Sequence, residues 1–283
     1  MPVKKEFTRR EVLGAGLGAA ALATAGAALT STVHAAETPA PASELETYNK
    51  FGEELRNSLL LRSSPLAIKM LEKEADIPQG AFRPKKDGGY HLAQCQAFGM
   101  SRREGKTVAM LKEDHWCPTA LEVYGMVEKA TQGFSMEYSM SFETGKYVGI
   151  VSAPLSKANF MPDVIMIYMN PAQLREALFA MNLGGSDQVK TELFLPSCGH
   201  SVVDPMKTGK YVVVLPDPGE YQRALVAEEE VILSVPKQKI QAFMAMQKQN
   251  GQMHPYRDQF MSMKPDFERP PFYVQKFKSW GLD

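Results

Sequence analysis

Two stretches of this chain share one grammar, and that grammar narrows the folds open to it. DVIMIYMNPAQLREALFAM (residues 163–181) and EVILSVPKQKIQAFMAM (residues 230–246) each run as an apolar strand, then a proline, then an amphipathic helix. Pro171 matches Pro236, and Gln173 matches Gln238. A proline in the first helical turn loses nothing by lacking an N–H, because that donor has no partner inside the helix. The paired glutamines and the matching lengths point to an internal strand–Pro–helix duplication. Further strands are expected over 65–70, 107–112, 146–151, 211–215 and 227–235. Helices are expected over 44–61, over 91–103 and after Cys117 as far as 126. PQGAFRPKKDGG (78–89) reads as a loop on its Pro and Gly content. The expected fold class is α+β or α/β, with mixed sheets and flanking helices.

The first 35 residues stand outside that pattern. Lys4, Lys5, Arg9 and Arg10 form a basic start, and a long Ala, Gly and Leu stretch follows. Val33-His34-Ala35 fits a small-residue cleavage signal. TRREVL (8–13) resembles the twin-arginine export signal, and the Gly/Ala dilution of the apolar stretch fits that route. A membrane anchor is the weaker reading, because the stretch is only mildly apolar and a cleavage site follows it. Residues 1–35 are therefore read as a signal peptide and 36–43 as a linker. Residues 44–283 are read as one globular domain with a flexible tail from about 250. The expected location is periplasmic or extracytoplasmic. Export in the folded state raises the expectation of a bound cofactor.

Cleavage removes four basic and two acidic residues from a balance of 32 and 32, which leaves 248 residues with a net charge of −2. No basic patch suggests a nucleic-acid partner. No second apolar run is long enough to span a bilayer, so no stable membrane anchor is expected after cleavage.

The chemistry concentrates on three cysteines, Cys95, Cys117 and Cys198. No C-x-x-C is present, which removes the zinc-ribbon and thioredoxin readings. Cys95 falls in an expected helix. Cys117 follows a strand end within EDHWCP (113–118), and Cys198 sits in PSCGH (196–200), read as a strand-end turn. Four readings compete. Three thiolates can hold an iron–sulfur cluster whose remaining iron takes a non-cysteine ligand, with His115 or His200 as candidates. Cysteine with either histidine can instead bind copper or zinc. Met244, Met246, Met253, His254, Met261 and Met263 are further candidates for Cu(I), although methionine is also a common gap filler in cores. Cys117 can act as a nucleophile with a histidine base. Finally, the cysteines can be structural, as a disulfide plus one buried thiol or as plain core residues.

Around Cys117, Glu113 and Asp114 read mainly as turn or cap residues, with a supporting role behind His115 as the alternative. Trp116 reads as packing. His91 shares a helical face with Cys95. TGK (208–210) lacks the Gly-rich frame of a phosphate loop. The favoured reading is an iron–sulfur cluster on the three thiolates, with a redox protein as partner.

Three stretches also carry a resemblance: SPLAIKMLEKEADIP (64–78), CQAFGMSRREGKTVAMLKEDHWCPTALEVYGM (95–126) and CGHSVVDPMKTGKYVVVLPDPGEYQRALVAEEEVILSVPKQKI (198–240). With DVIMIYMNPAQ they cover most of residues 60–250, and they resemble the domain-of-unknown-function 169 family. The resemblance implies no activity. It does imply that Cys95, Cys117 and Cys198 occupy positions where members of that family carry cysteine. The DPGEYQRAL segment departs from the Gly-Glu-Arg-Arg type of turn that the family more usually has there.

Overall fold

The computed structural model describes residues 43–128, 140–183, 189–191, 196–253 and 271–282. The expected signal peptide, all of the linker but Ser43, and His254, Met261 and Met263 lie outside the described residues.

Seven strands among those residues form one sheet: β1 (Leu66–Leu71), β2 (Val108–Leu111), β3 (Gly149–Pro154), β4 (Val164–Met169), β5 (Lys190–Thr191), β6 (Val212–Val214) and β7 (Val231–Pro236). Their order is β2-β3-β1-β4-β7-β6-β5. Every pair is antiparallel except the two-residue edge pairing of β5 with β6, which makes the sheet mixed as expected. The flanking helices are α1 (Glu44–Ser58), α2 (Gln94–Glu104), α3 (Pro118–Val123), α4 (Pro171–Leu183), α5 (Ser197–Thr208), α6 (Pro218–Arg223), α7 (Ile240–Met253) and α8 (Pro271–Ser279).

Successive side chains of a strand point to opposite faces, and here each face meets its own core. Leu66, Ile68 and Met70 of β1 and Val164, Met166 and Tyr168 of β4 join residues of α2, α3 and α5. Ala67 and Leu71 of β1 and Ile165, Ile167 and Met169 of β4 join residues of α1, α4 and α7. The strands therefore read as apolar runs, because helices cover the sheet on both sides.

The two strand–Pro–helix units lie side by side, since β4 pairs antiparallel with β7 from Val164 opposite Pro236 to Met169 opposite Val231. They are not equivalent in detail. Pro171 opens α4, and Gln173 exchanges hydrogen bonds of 2.8 and 2.9 Å with Asn170 in a reciprocal cap. The Gln173 amide also donates to the carbonyls of Leu59 and Leu60. Pro236 instead ends β7, and a short 3₁₀ turn over Lys237–Lys239 carries an exposed Gln238 before α7 begins. The glutamine match in sequence is not a match in role.

Three expectations shift. The strand expected over 146–151 lies at Gly149–Pro154, because Gly145 at φ 82° turns the chain immediately before it. The loop over 78–89 contains a wide helical turn over Pro84–Gly88. The turn expected around Cys198 is the start of α5, a full helix of 12 residues.

Candidate functional site

Cys95, Cys117 and Cys198 come from three separate helix starts and line one cavity of about 290 Å³. Cys95 is the second residue of α2, Cys117 is the cap of α3, and Cys198 is the second residue of α5. Asp217 and Gly219, at the start of α6, complete the wall. Helix-start chemistry explains the placement. Pro118 and Pro218 each open a helix where no N–H is needed, and Pro196 caps α5 from outside. Asp217 accepts from the backbone N–H groups of Gly219 and Glu220 at 2.8 and 3.2 Å, and from that of Ser197 at 3.0 Å. One carboxylate thus ties the starts of α5 and α6 together. Gly199 allows α5 to lie close on α3, since a Cβ there would sit 2.7 Å from Val123 Cγ1.

Cys95 and Cys198 are buried, Cys117 is half-buried, and all three are free thiols. The Cys95 thiol donates to the Gly219 carbonyl at 3.7 Å, and the Tyr124 hydroxyl donates to the Cys198 carbonyl at 2.6 Å. Burial pushes the Cys95 thiol up to about 12, with Glu220, Asp217 and Cys117 adding to the shift. Burial likewise raises Cys198, helped by Asp217 and Cys95. Both are therefore protonated at neutral pH. Among the described residues no three His, Cys, Asp or Glu side chains already stand as a metal-binding group. The thiols share a cavity without being drawn together.

The rim is exposed. Trp116 donates through Nε1 to Gln96 at 3.1 Å, and the Arg223 guanidinium lies 5.0 Å from its ring centre. This corrects the reading of Trp116 as a packing residue: 46% of its surface is exposed. Behind the wall, the Tyr168 hydroxyl donates to the buried Glu220 carboxyl at 3.2 Å. The Arg102 guanidinium lies 4.1 Å from the Tyr168 ring centre and pairs with the buried Glu230 at 3.4 Å.

The other sequence candidates do not line this cavity. His115 is buried, both its ring nitrogens lack a hydrogen bond, and burial lowers its pKa to about 4. His200 is tied to Asp204 by a 2.8 Å hydrogen bond within α5. Glu113 and Asp114 serve Arg83, each accepting from its guanidinium at 2.6 Å. Asp114 also accepts from the backbone N–H groups of Lys85 and Leu111, which makes it a structural anchor. His91 is exposed.

Sequence reasoning passed over Gln94, Asp217, Glu220 and Arg223. For Asp217, a signal was present: Asp followed by Pro is an N-cap followed by a favoured first helical residue.

A family model, domain of unknown function 169 (DUF169), described as an uncharacterised ArCR, matches residues 54–245. That span holds all three cysteines and every residue lining the cavity. No curated protein and no solved structure matches the chain.

Proposed function

This chain belongs to the DUF169 family, and from that premise we propose that it is an exported protein that binds a thiolate-ligated redox cofactor, an iron–sulfur cluster, through Cys95, Cys117 and Cys198. One observation carries the reading: three cysteines, separated by 21 and 80 residues in sequence, line a single cavity. Three thiols on one cavity wall are placed so that one bound group could recruit them together. Thiolates are the usual ligands of such clusters, and burial with hydrogen bonding tunes their potential.

The surroundings suit an anionic thiolate centre. Cys95 and Cys198 stand in the first turns of α2 and α5, at the positive end of each helix dipole, which favours negative charge beside them. The raised thiol pKa values oppose ionisation until a cation displaces the protons, so loading releases protons and is favoured by rising pH. With the cofactor bound, these residues would anchor it, and Ala93, Pro196 and Pro218 would supply apolar wall beside the sulfurs. In that role the protein works with a redox partner protein outside the cytoplasm, after export through the twin-arginine route.

The test is anaerobic purification with metal and sulfide analysis and an absorption spectrum. Iron with equimolar sulfide is the expected result. Copper or zinc without sulfide selects the mononuclear alternative. A colourless, metal-free chain after reconstitution returns the cysteines to a structural role. Export is tested separately: replacing Arg9 and Arg10 together by lysine should retain the protein in the cytoplasm.

A further inference from the structure

Gln94 immediately precedes Cys95, lines the same cavity, and is only 2% exposed. Its side-chain oxygen is buried and makes no hydrogen bond. Buried polar atoms are nearly always paired, and an unpaired one calls for an explanation such as a missing ligand. The alternatives along the wall are weaker. Asp217 spends its carboxylate on three backbone N–H groups. Thr119 is only partly buried, so solvent can serve its hydroxyl. Arg223 is an exposed cation and cannot bind a metal. Neither His115 nor His200 lines the cavity.

Resting on the metal-centre reading above, we propose that Gln94 supplies the non-cysteine ligand, its amide oxygen completing the site that the three thiolates begin. An amide oxygen is neutral and harder than a thiolate, so it binds a borderline metal weakly. The position is therefore exchangeable.

The experiment compares the wild-type full chain with Gln94→Leu and Gln94→Glu under anaerobic conditions. It reads two quantities: the melting temperature of the metal-free protein, and the affinity for Co²⁺ from its thiolate charge-transfer absorption. In Gln94→Leu the metal-free protein should melt no lower than wild type, because an unpaired buried acceptor has been removed. Its Co²⁺ affinity should nevertheless fall about tenfold or more, the scale on which loss of a supporting group weakens metal sites. In Gln94→Glu the affinity should rise above wild type, because a carboxylate oxygen replaces an amide oxygen. Unchanged Co²⁺ affinity in Gln94→Leu overturns the assignment. So does a parallel fall in melting temperature and affinity, which marks Gln94 as structural support. Wild-type protein that takes up neither Co²⁺ nor cluster overturns this assignment and the metal-centre reading together. Wild-type protein that loads normally beside indifferent variants overturns this assignment alone.

Discussion

The two faces of the sheet are built from the same strands and differ in what they bury. The face under α1, α4 and α7 is a conventional apolar core, with Phe51, Phe243 and Tyr211 packed as ring pairs about 6 Å apart. The face under α2, α3 and α5 holds all three cysteines and the buried Arg102, Glu220 and Glu230 as well. Unpaired buried atoms on that face include Gln94 Oε1, Arg102 Nε and Ser234 Oγ. The difference teaches where to look for function. Both faces bury some polar groups, Gln173, Glu176 and Gln247 among them under α4 and α7, but the cysteine face adds the buried ion pair of Arg102 with Glu230 and the buried carboxyl of Glu220, whose burial costs stability unless something else requires it.

That contrast can be broken from either side. The largest effect is expected on the apolar face. Phe243 is fully buried, and its ring meets the ring of Phe51 edge-on at 6.0 Å between centres. Phe243→Ala should cost about 3–5 kcal/mol in chemical denaturation, with metal content per folded chain unchanged. Loss of metal from chains that remain folded would show that the faces are not separable.

A smaller effect, of opposite sign, is expected on the cysteine face. Glu220 is completely buried, and its carboxyl is pushed from 4.5 up to about 8, first by burial and then by Asp217, with Arg102 pulling it down. Between about pH 4.5 and 8 the folded chain keeps this proton and the unfolded chain releases it. The contribution to stability is therefore whole below about 4.5 and is lost as pH rises toward 8. Glu220→Gln removes the dependence. The metal-free variant should lie close to wild type near pH 5 and exceed it by about 3 kcal/mol near pH 8. Equal gains at both pH values would place the cause in packing rather than in the proton.

The fold was largely legible in the sequence and the site only in part, for different physical reasons. Strands such as β4 announce themselves by an apolar run bounded by Asp163 and Asn170, and α1 by its apolar spacing. Ser43 and Glu46 close a capping box at the start of α1. The helix at Cys198 was hidden because Pro, Ser and Gly in PSCGH all read as turn residues. In place, Pro196 and Ser197 start the helix, and Gly199 is there for the close approach of Val123. His115 stands two residues from Cys117 and His200 two from Cys198, yet neither lines the cavity. Gln94 gave no signal, because an unpaired buried oxygen exists only once the chain around it has folded.

In the proposed centre three thiolates hold one cofactor. Its most direct test is the iron and sulfide content of Cys95→Ser, Cys117→Ser and Cys198→Ser, each reconstituted anaerobically beside wild type. Serine nearly preserves the volume, so the variants should stay folded while each loses bound iron about tenfold or more. Wild-type iron and sulfide in any one of the three would contradict a site built on all of them.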